Sequence, residues 1–136
     1  MRDAASRVSP ARAAGKCELG DRPLIDPATA TAMARLFKLV GNDTRLRLLH
    51  VLERESDLCV GDLAEQIEMA PQAVSNQLQR LVDRGIVAAR RDGVRVFYRI
   101  ADPCVIGLMD LAWCLLEETG ATRPSRRPPR PRSRAR

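Results

Sequence analysis

Residues 69–100, MAPQAVSNQLQRLVDRGIVAARRDGVRVFYRI, decide how this chain is read. Pro71 suits the first turn of a helix, where its missing N–H has no intrahelical acceptor to lose. Behind it, Val74, Leu78, Leu81 and Val82 recur at helical spacing and would face a core. The opposite side offers Gln72, Ser75, Asn76, Gln77, Gln79 and Arg80. Gln and Asn bond adenine edges bidentately, Arg bonds guanine, and Ser bonds bases or phosphates. Gly85 ends this helix as a residue that tolerates positive φ. Residues 87–91 and 94–100 then flank Asp92-Gly93, a hairpin-turn dipeptide, with Arg91 and Arg95 beside the turn.

A polar helix face is often no more than a solvated face. Such a face would more often carry Glu–Lys pairs, whereas this one is uncharged and amide-rich up to Arg80. An arginine-bearing hairpin follows it directly, as a reading helix followed by a β-wing would require. The segments upstream supply the rest of that arrangement. A first helix is predicted over 27–40, with Ala32, Met33, Leu36, Phe37 and Val40 on one stripe. Gly41-Asn42 ends it, and Asn42 or Asp43 caps a second helix over 44–54 whose Leu46, Leu49 and Leu52 face inward. A link over 55–58 leads to a third helix over 60–67, and residues 68–70 make the turn before Pro71. After the wing, Asp102-Pro103 opens a last helix ending near Thr119-Gly120. The fold class expected is mainly α with a small β-hairpin, a winged helix-turn-helix over 27–120.

The last helix carries Val105, Leu108, Met109, Ala112, Leu115 and Leu116, a wider apolar face than its own core needs. A two-fold partner is the economical cover, because a dimeric reader matches the two halves of a palindromic DNA site. The expectation is a homodimer joined through its first and last helices.

Composition limits the alternatives. The chain has 136 residues, 45% hydrophobic and only 3% aromatic, so one aliphatic core is expected. No run of 18 uncharged apolar residues is present and no apolar segment resembles a secretory signal, which points to the cytoplasm. The net charge is +6, yet residues 123–136 hold seven Arg and no acid, leaving −1 for residues 1–122. The folded part must therefore cluster its basic groups to hold DNA. Residues 1–26 are expected to form a flexible arm, and 121–136 a disordered Arg/Pro-rich tail able to hold phosphates non-specifically. No Ser/His/Asp set, Gly-rich phosphate loop or HExxH is present, so an enzyme is not expected. The sole histidine, His50, lies among Leu48, Leu49, Val51 and Leu52 and reads as structural.

Cys17, Cys59, Cys104 and Cys114 remain. No CxxC pair exists, which excludes a zinc finger or thioredoxin-type motif on spacing. Cys59 and Cys104 each stand at the expected start of a helix, where backbone N–H groups and the helix dipole favour the thiolate, the metal-binding form. Cys114 follows Cys104 by ten residues, about 1,000° of rotation and about 15 Å along a helix axis. One ion cannot touch both on the same helix. Antiparallel last helices in a dimer could bring Cys104 of one chain to Cys114 of the other, or Cys59 could meet Cys104 through packing. The plain alternative is that these are buried small hydrophobes.

Taken in order, residues 39–49 (LVGNDTRLRLL), 58–64 (LCVGDLA), 73–78 (AVSNQL) and the wing from Arg91 to Tyr98 resemble the ArsR/SmtB family of metal-responsive winged helix-turn-helix repressors. The resemblance spans about residues 28–118. It implies a homodimeric repressor that leaves its operator when a metal or metalloid binds. Cys59 matches the first cysteine of the family's ELCVCDL box, and Gly61 stands where the second would be, so a two-cysteine site inside this box is absent. Cys17 lies where the cadmium/lead branch supplies cysteines from the other subunit. Asp102 and Cys104 match the Asp-x-His start of a last-helix zinc site, with Cys in place of His. Cys114 falls about one residue from that site's next histidine, with Glu117 or Glu118 near the last ligand.

Sulfur without histidine points to soft ions. The candidate inducers are Hg(II), which is favoured, and Cd(II), Pb(II) or As(III), with trivalent antimony in the same chemical class. The ligands expected are Cys59 and Cys104, with Cys114 or Cys17 as a third. A thiol redox sensor and a DNA-binding protein with purely structural cysteines are the alternatives.

Overall fold

The computed structural model describes residues 19–120. Among them, a 3-10 turn (Leu19–Asp21) precedes five helices and three strands. These are α1 (Pro27–Val40), α2 (Asp43–Arg54), β1 (Leu58–Cys59), α3 (Val60–Ile67), α4 (Pro71–Asp83), β2 (Val87–Asp92), β3 (Arg95–Ile100) and α5 (Cys104–Glu118). Expectations for 1–18, including Cys17, and for 121–136 fall outside the described residues. None of the described helices is long and apolar enough to cross a membrane.

Each boundary has a local cause. Asp26 caps α1, its carboxylate accepting from the Thr29 N–H at 2.9 Å and the Thr29 hydroxyl at 2.7 Å. These bonds, the N–H first, hold its carboxyl below the usual aspartate range. Gly41 closes α1: its N–H donates to the Phe37 carbonyl at 2.7 Å, and a β-carbon there would stand 2.8 Å from that same oxygen. Asn42 caps α2 by accepting from the Arg45 N–H at 3.1 Å. Glu68 ends α3 in the left-handed conformation, φ 56°, with its N–H on the carbonyls of Ala64 and Glu65. Arg47 donates to the Ile67 carbonyl at 3.2 Å, satisfying one of the acceptors α3 leaves at its end.

The core gathers one stripe from each element of the helix-turn-helix. Leu48, Leu49 and Leu52 of α2, Leu63 and Ile67 of α3, and Val74, Leu78 and Leu81 of α4 are buried together. Val87 and Tyr98 close it from the sheet and Val105 from α5. A fully buried Leu contributes about 1.5–3 kcal/mol, so these leucines hold the domain. The inward row of α2 differs from the expected one: Leu48 is fully buried while Leu46 is only half-buried. Arg45 is buried on the same helix, at 8% exposure. Its Nε donates to the Leu39 carbonyl at 2.5 Å and its Nη1 to Gln77 Oε1 at 2.6 Å.

The sheet also departs from the expectation in two ways. It has a third strand, β1, and the order is β1-β3-β2, antiparallel throughout. Residues 58 and 59 were expected as a link and a helix start. They instead pair with Tyr98 and Phe97, which gives the chain entering α3 a backbone partner. The hairpin turn lies one residue later than Asp92-Gly93. Asp92 pairs with Arg95, leaving Gly93-Val94 as the two-residue loop. Gly93 has φ +61° and Val94 has negative φ, the pattern of a type II′ turn.

The flanking helices are barely buried. On α1 only Val40 is buried, and Met33 and Phe37 of the expected stripe stand exposed, Phe37 at 52%. On α5 only Val105 and Gly107 are buried. Trp113 is 57% exposed, Leu115 63% and Leu116 43%.

Candidate functional site

At 100° per residue, Val74, Leu78 and Leu81 set the buried side of α4. Gln72, Asn76, Gln79 and Arg80 project from the opposite side and are exposed. Gln72 donates to Asn76 Oδ1 at 3.2 Å, and Gln79 donates to Asp83 Oδ1 at 2.7 Å. These i, i+4 bonds align amides along the helix and leave further donors and acceptors outward. Ser75 sits at the margin and is half-buried. Gln77 differs from the other candidates. It falls at the other margin of the buried side, half-buried, and its carbonyl oxygen takes the bond from Arg45. Its side chain ties α4 to α2. The sequence signal for this was available, because position 77 lies about 60° from Val74 on a helical wheel and about 140° from Gln72.

Pairing in the wing sorts its arginines by face, since directly opposed residues share one side of a sheet. Arg91 opposes Val96 on the side that carries Val87 and Tyr98 toward the core. Arg95 opposes Asp92, and Arg90 opposes Phe97, on the outer side. Arg99 shares that outer side through its pairing with Ala88. Arg91 and Arg95 therefore flank the turn from opposite faces. Arg90 stacks over the Phe97 ring at 5.1 Å and lies 4.0 Å from Asp92. The sequence reading passed over Arg90 and Arg99, although strand alternation places both beside Arg95.

The three described cysteines occupy two elements, Cys59 on β1 and Cys104 and Cys114 on α5. Cys59 ends β1 and is the N-cap position of α3; it is half-buried, and its Sγ donates to Asp62 Oδ2 at 3.0 Å. Cys104 opens α5, its backbone N–H held by Asp102 Oδ1 at 2.9 Å. Cys114 is half-buried in α5 beside Trp113. The Trp113 indole meets the His50 ring edge-on at 6.3 Å and donates to Glu117 Oε1 at 2.9 Å. Among the described residues of one chain, no three side chains of His, Cys, Asp or Glu gather into a metal-binding group. The donors are soft and suit a thiophilic ion, so a three-donor centre would need Cys17 or a second subunit.

The three-helix core, amide-lined α4 and arginine-bearing wing define a winged helix-turn-helix DNA-binding protein, not an enzyme. Residues 42–89 match the arsR family of bacterial regulatory proteins. The chain is 39% identical over 111 residues to a Streptomyces lividans protein described as a probable mercury resistance operon repressor, covering 79% of this chain and 83% of that one. The structure resembles that of the AntR antimony-specific transcriptional repressor with a TM-score of 0.68 and 53% identity, covering 78% of this chain and 99% of that one. A homodimeric winged helix-turn-helix DNA-binding domain from Mycobacterium bovis matches with a TM-score of 0.59 and 32% identity, covering 71% of this chain and 91% of that one. The chain belongs to the ArsR/SmtB family of transcriptional regulators.

Proposed function

We propose that this chain is a cytoplasmic, homodimeric repressor that reads an inverted-repeat operator and releases it when a thiophilic metalloid or metal binds its cysteines. Gln72, Ser75, Asn76, Gln79 and Arg80 are the base-reading set, and Arg91 and Arg95, joined by Arg90, hold phosphates. Residues 27–120 form the working unit, flanked by a 1–26 arm and a 121–136 tail.

One observation carries the inducer class: the residues matching the family's ligand positions, Cys59 and Cys104, both carry sulfur, and neither is histidine. Cys114 or Cys17 completes the set. Hg(II) is the ion favoured by donor chemistry alone. The 53% identity to an antimony-specific repressor, against 39% to a mercury repressor, moves the preference to Sb(III). Three thiolates suit such a trivalent ion, as they do As(III). Hg(II) stands second, supported by the Streptomyces relative, with Cd(II) and Pb(II) behind it.

The test uses the full-length protein and a DNA duplex selected by it from a random pool. Sb(III), As(III), Hg(II), Cd(II), Pb(II) and hydrogen peroxide are titrated separately while fluorescence anisotropy follows the duplex. Release at the lowest concentration is expected with Sb(III), and both Cys59→Ser and Cys104→Ser should keep DNA binding while losing the response. Release by peroxide alone would establish the redox reading instead. No release by any agent would leave the cysteines structural.

A further inference from the structure

The register of the sheet puts three residues in one row across it: Cys59 on β1, Phe97 on β3 and Arg90 on β2. Directly opposed residues have Cβ atoms about 4.5–5.5 Å apart and share a face. Cys59 and Arg90 are thus the two neighbours of one aromatic ring, and Arg90 is stacked on that ring at 5.1 Å. Phe97 is half-buried; Arg90 is exposed near the wing tip. We propose that Phe97 is a positioning residue that carries the occupancy of Cys59 to Arg90, so that the wing itself is part of the switch. The inference rests on the reading of Cys59 as an inducer ligand.

The chemistry runs outward from the sulfur. In the structure the Cys59 thiol donates to Asp62 Oδ2. As a sulfur–metal bond forms, the thiol proton passes to solvent and the bond to Asp62 ends. The side chain is then held by the ion instead of by Asp62, at a position two backbone-paired residues from the wing arginine. A ring set in register between the two residues adjusts its packing when the neighbour on one side is displaced, and its cation–π stack on the other side shifts with it. Arg90 then loses its set position, and with it the phosphate contact that favours the DNA-bound form. Such coupling is a difference in inducer affinity between two states and acts in both directions.

The experiment measures the factor by which Sb(III) raises the dissociation constant of the selected duplex, in full-length wild type, Cys59→Ser, Phe97→Leu, Phe97→Tyr and Arg90→Gln. Allosteric coupling is typically about 5–150-fold. Phe97→Leu fills the site but removes the aromatic face. It should bind the duplex within about threefold of wild type without Sb(III), still bind the ion as read by Trp113 fluorescence, and lose most of the release factor. Phe97→Tyr, which keeps the face, should retain it. Arg90 is exposed, so Arg90→Gln tests the other end without risk to the core: weaker DNA binding without ion and a reduced release factor are expected. An unchanged factor in Phe97→Leu, or in Arg90→Gln, together with loss of response in Cys59→Ser, would overturn the row as the route. A wild-type factor in Cys59→Ser would instead overturn the ligand assignment, and the route with it.

Discussion

The helix-turn-helix with its sheet and the outer pair of helices, α1 and α5, are built on opposite terms. In the first, Leu48, Leu63, Leu78 and Leu81 are wholly buried by their own chain. In the second, Phe37, Trp113, Leu115 and Leu116 are left in solvent. Both regions are patterned with apolar residues at helical spacing, so pattern alone does not distinguish them. The difference is where the covering surface comes from. The reading head is complete within one polypeptide, whereas in the proposed homodimer the outer helices would be half of an interface, and that division would separate folding from assembly.

The hardest test of this division replaces Phe37 and Leu115 together by Glu. The folded head should persist by circular dichroism while sedimentation shows a monomer. Operator affinity should then fall by about 10²–10⁴-fold, the avidity lost when two linked half-site contacts become one. A double variant that still sediments as a dimer would place the interface elsewhere. Leu78→Ala acts on the other region and should cost about 2–5 kcal/mol of stability by chemical denaturation. A loss below about 1 kcal/mol would show that α4 is not anchored as the core implies.

A finer comparison lies within α4. Asn76→Ala should lower operator affinity by about 1–3 kcal/mol and leave stability alone. Gln77→Ala should do the reverse, costing about 1–3 kcal/mol of stability by depriving buried Arg45 of one of its two acceptors. Equal affinity losses with unchanged melting in both variants would return Gln77 to the reading face. In the wing, Arg95→Gln should reduce the slope of log affinity against log salt by about one, since one phosphate contact releases about one counterion. A slope identical to wild type would remove Arg95 from the phosphate set.

The smallest effect is at the start of α1. The Asp26 carboxyl is held below its ordinary range by Thr29, so its cap contributes above the unfolded-state pKa and is lost as pH falls through the folded one. Acidification should therefore lower the protection factor of the Thr29 amide, measured against its intrinsic exchange at each pH, while α4, which has no acid in its first turn, shows no matching step. Asp26→Asn keeps an acceptor and should flatten the dependence; protection that still steps with pH in that variant would locate the titrating group elsewhere.

Helix boundaries were largely legible in the sequence because their causes are local: Pro27 at one start, Asn42 at another, Gly85 at an end. The polar row of α4 was legible for the same reason. What escaped depends on partners far along the chain. β1 is two residues long and exists only because β3, nearly forty residues later, offers Tyr98 and Phe97. The burial of Arg45 depends on Gln77, 32 residues away. The turn shifted by one residue because pairing of Asp92 with Arg95 puts Gly93 at the loop's first position, where its positive φ is wanted. The thiol site was legible only as a set of sulfurs. Cys59 lies on β1 and Cys104 and Cys114 lie on α5, and spacing in sequence could not say how they would meet.

A β-carbon on Gly61 would stand 4.0 Å from the Cys59 sulfur, in ordinary contact, with no other side chain crowding it. Gly61→Cys would therefore add a second thiol beside the first without disturbing the core, the amide row or the wing. On the proposed function, preference among thiophilic ions could then be altered at one position while the DNA-reading residues stay unchanged.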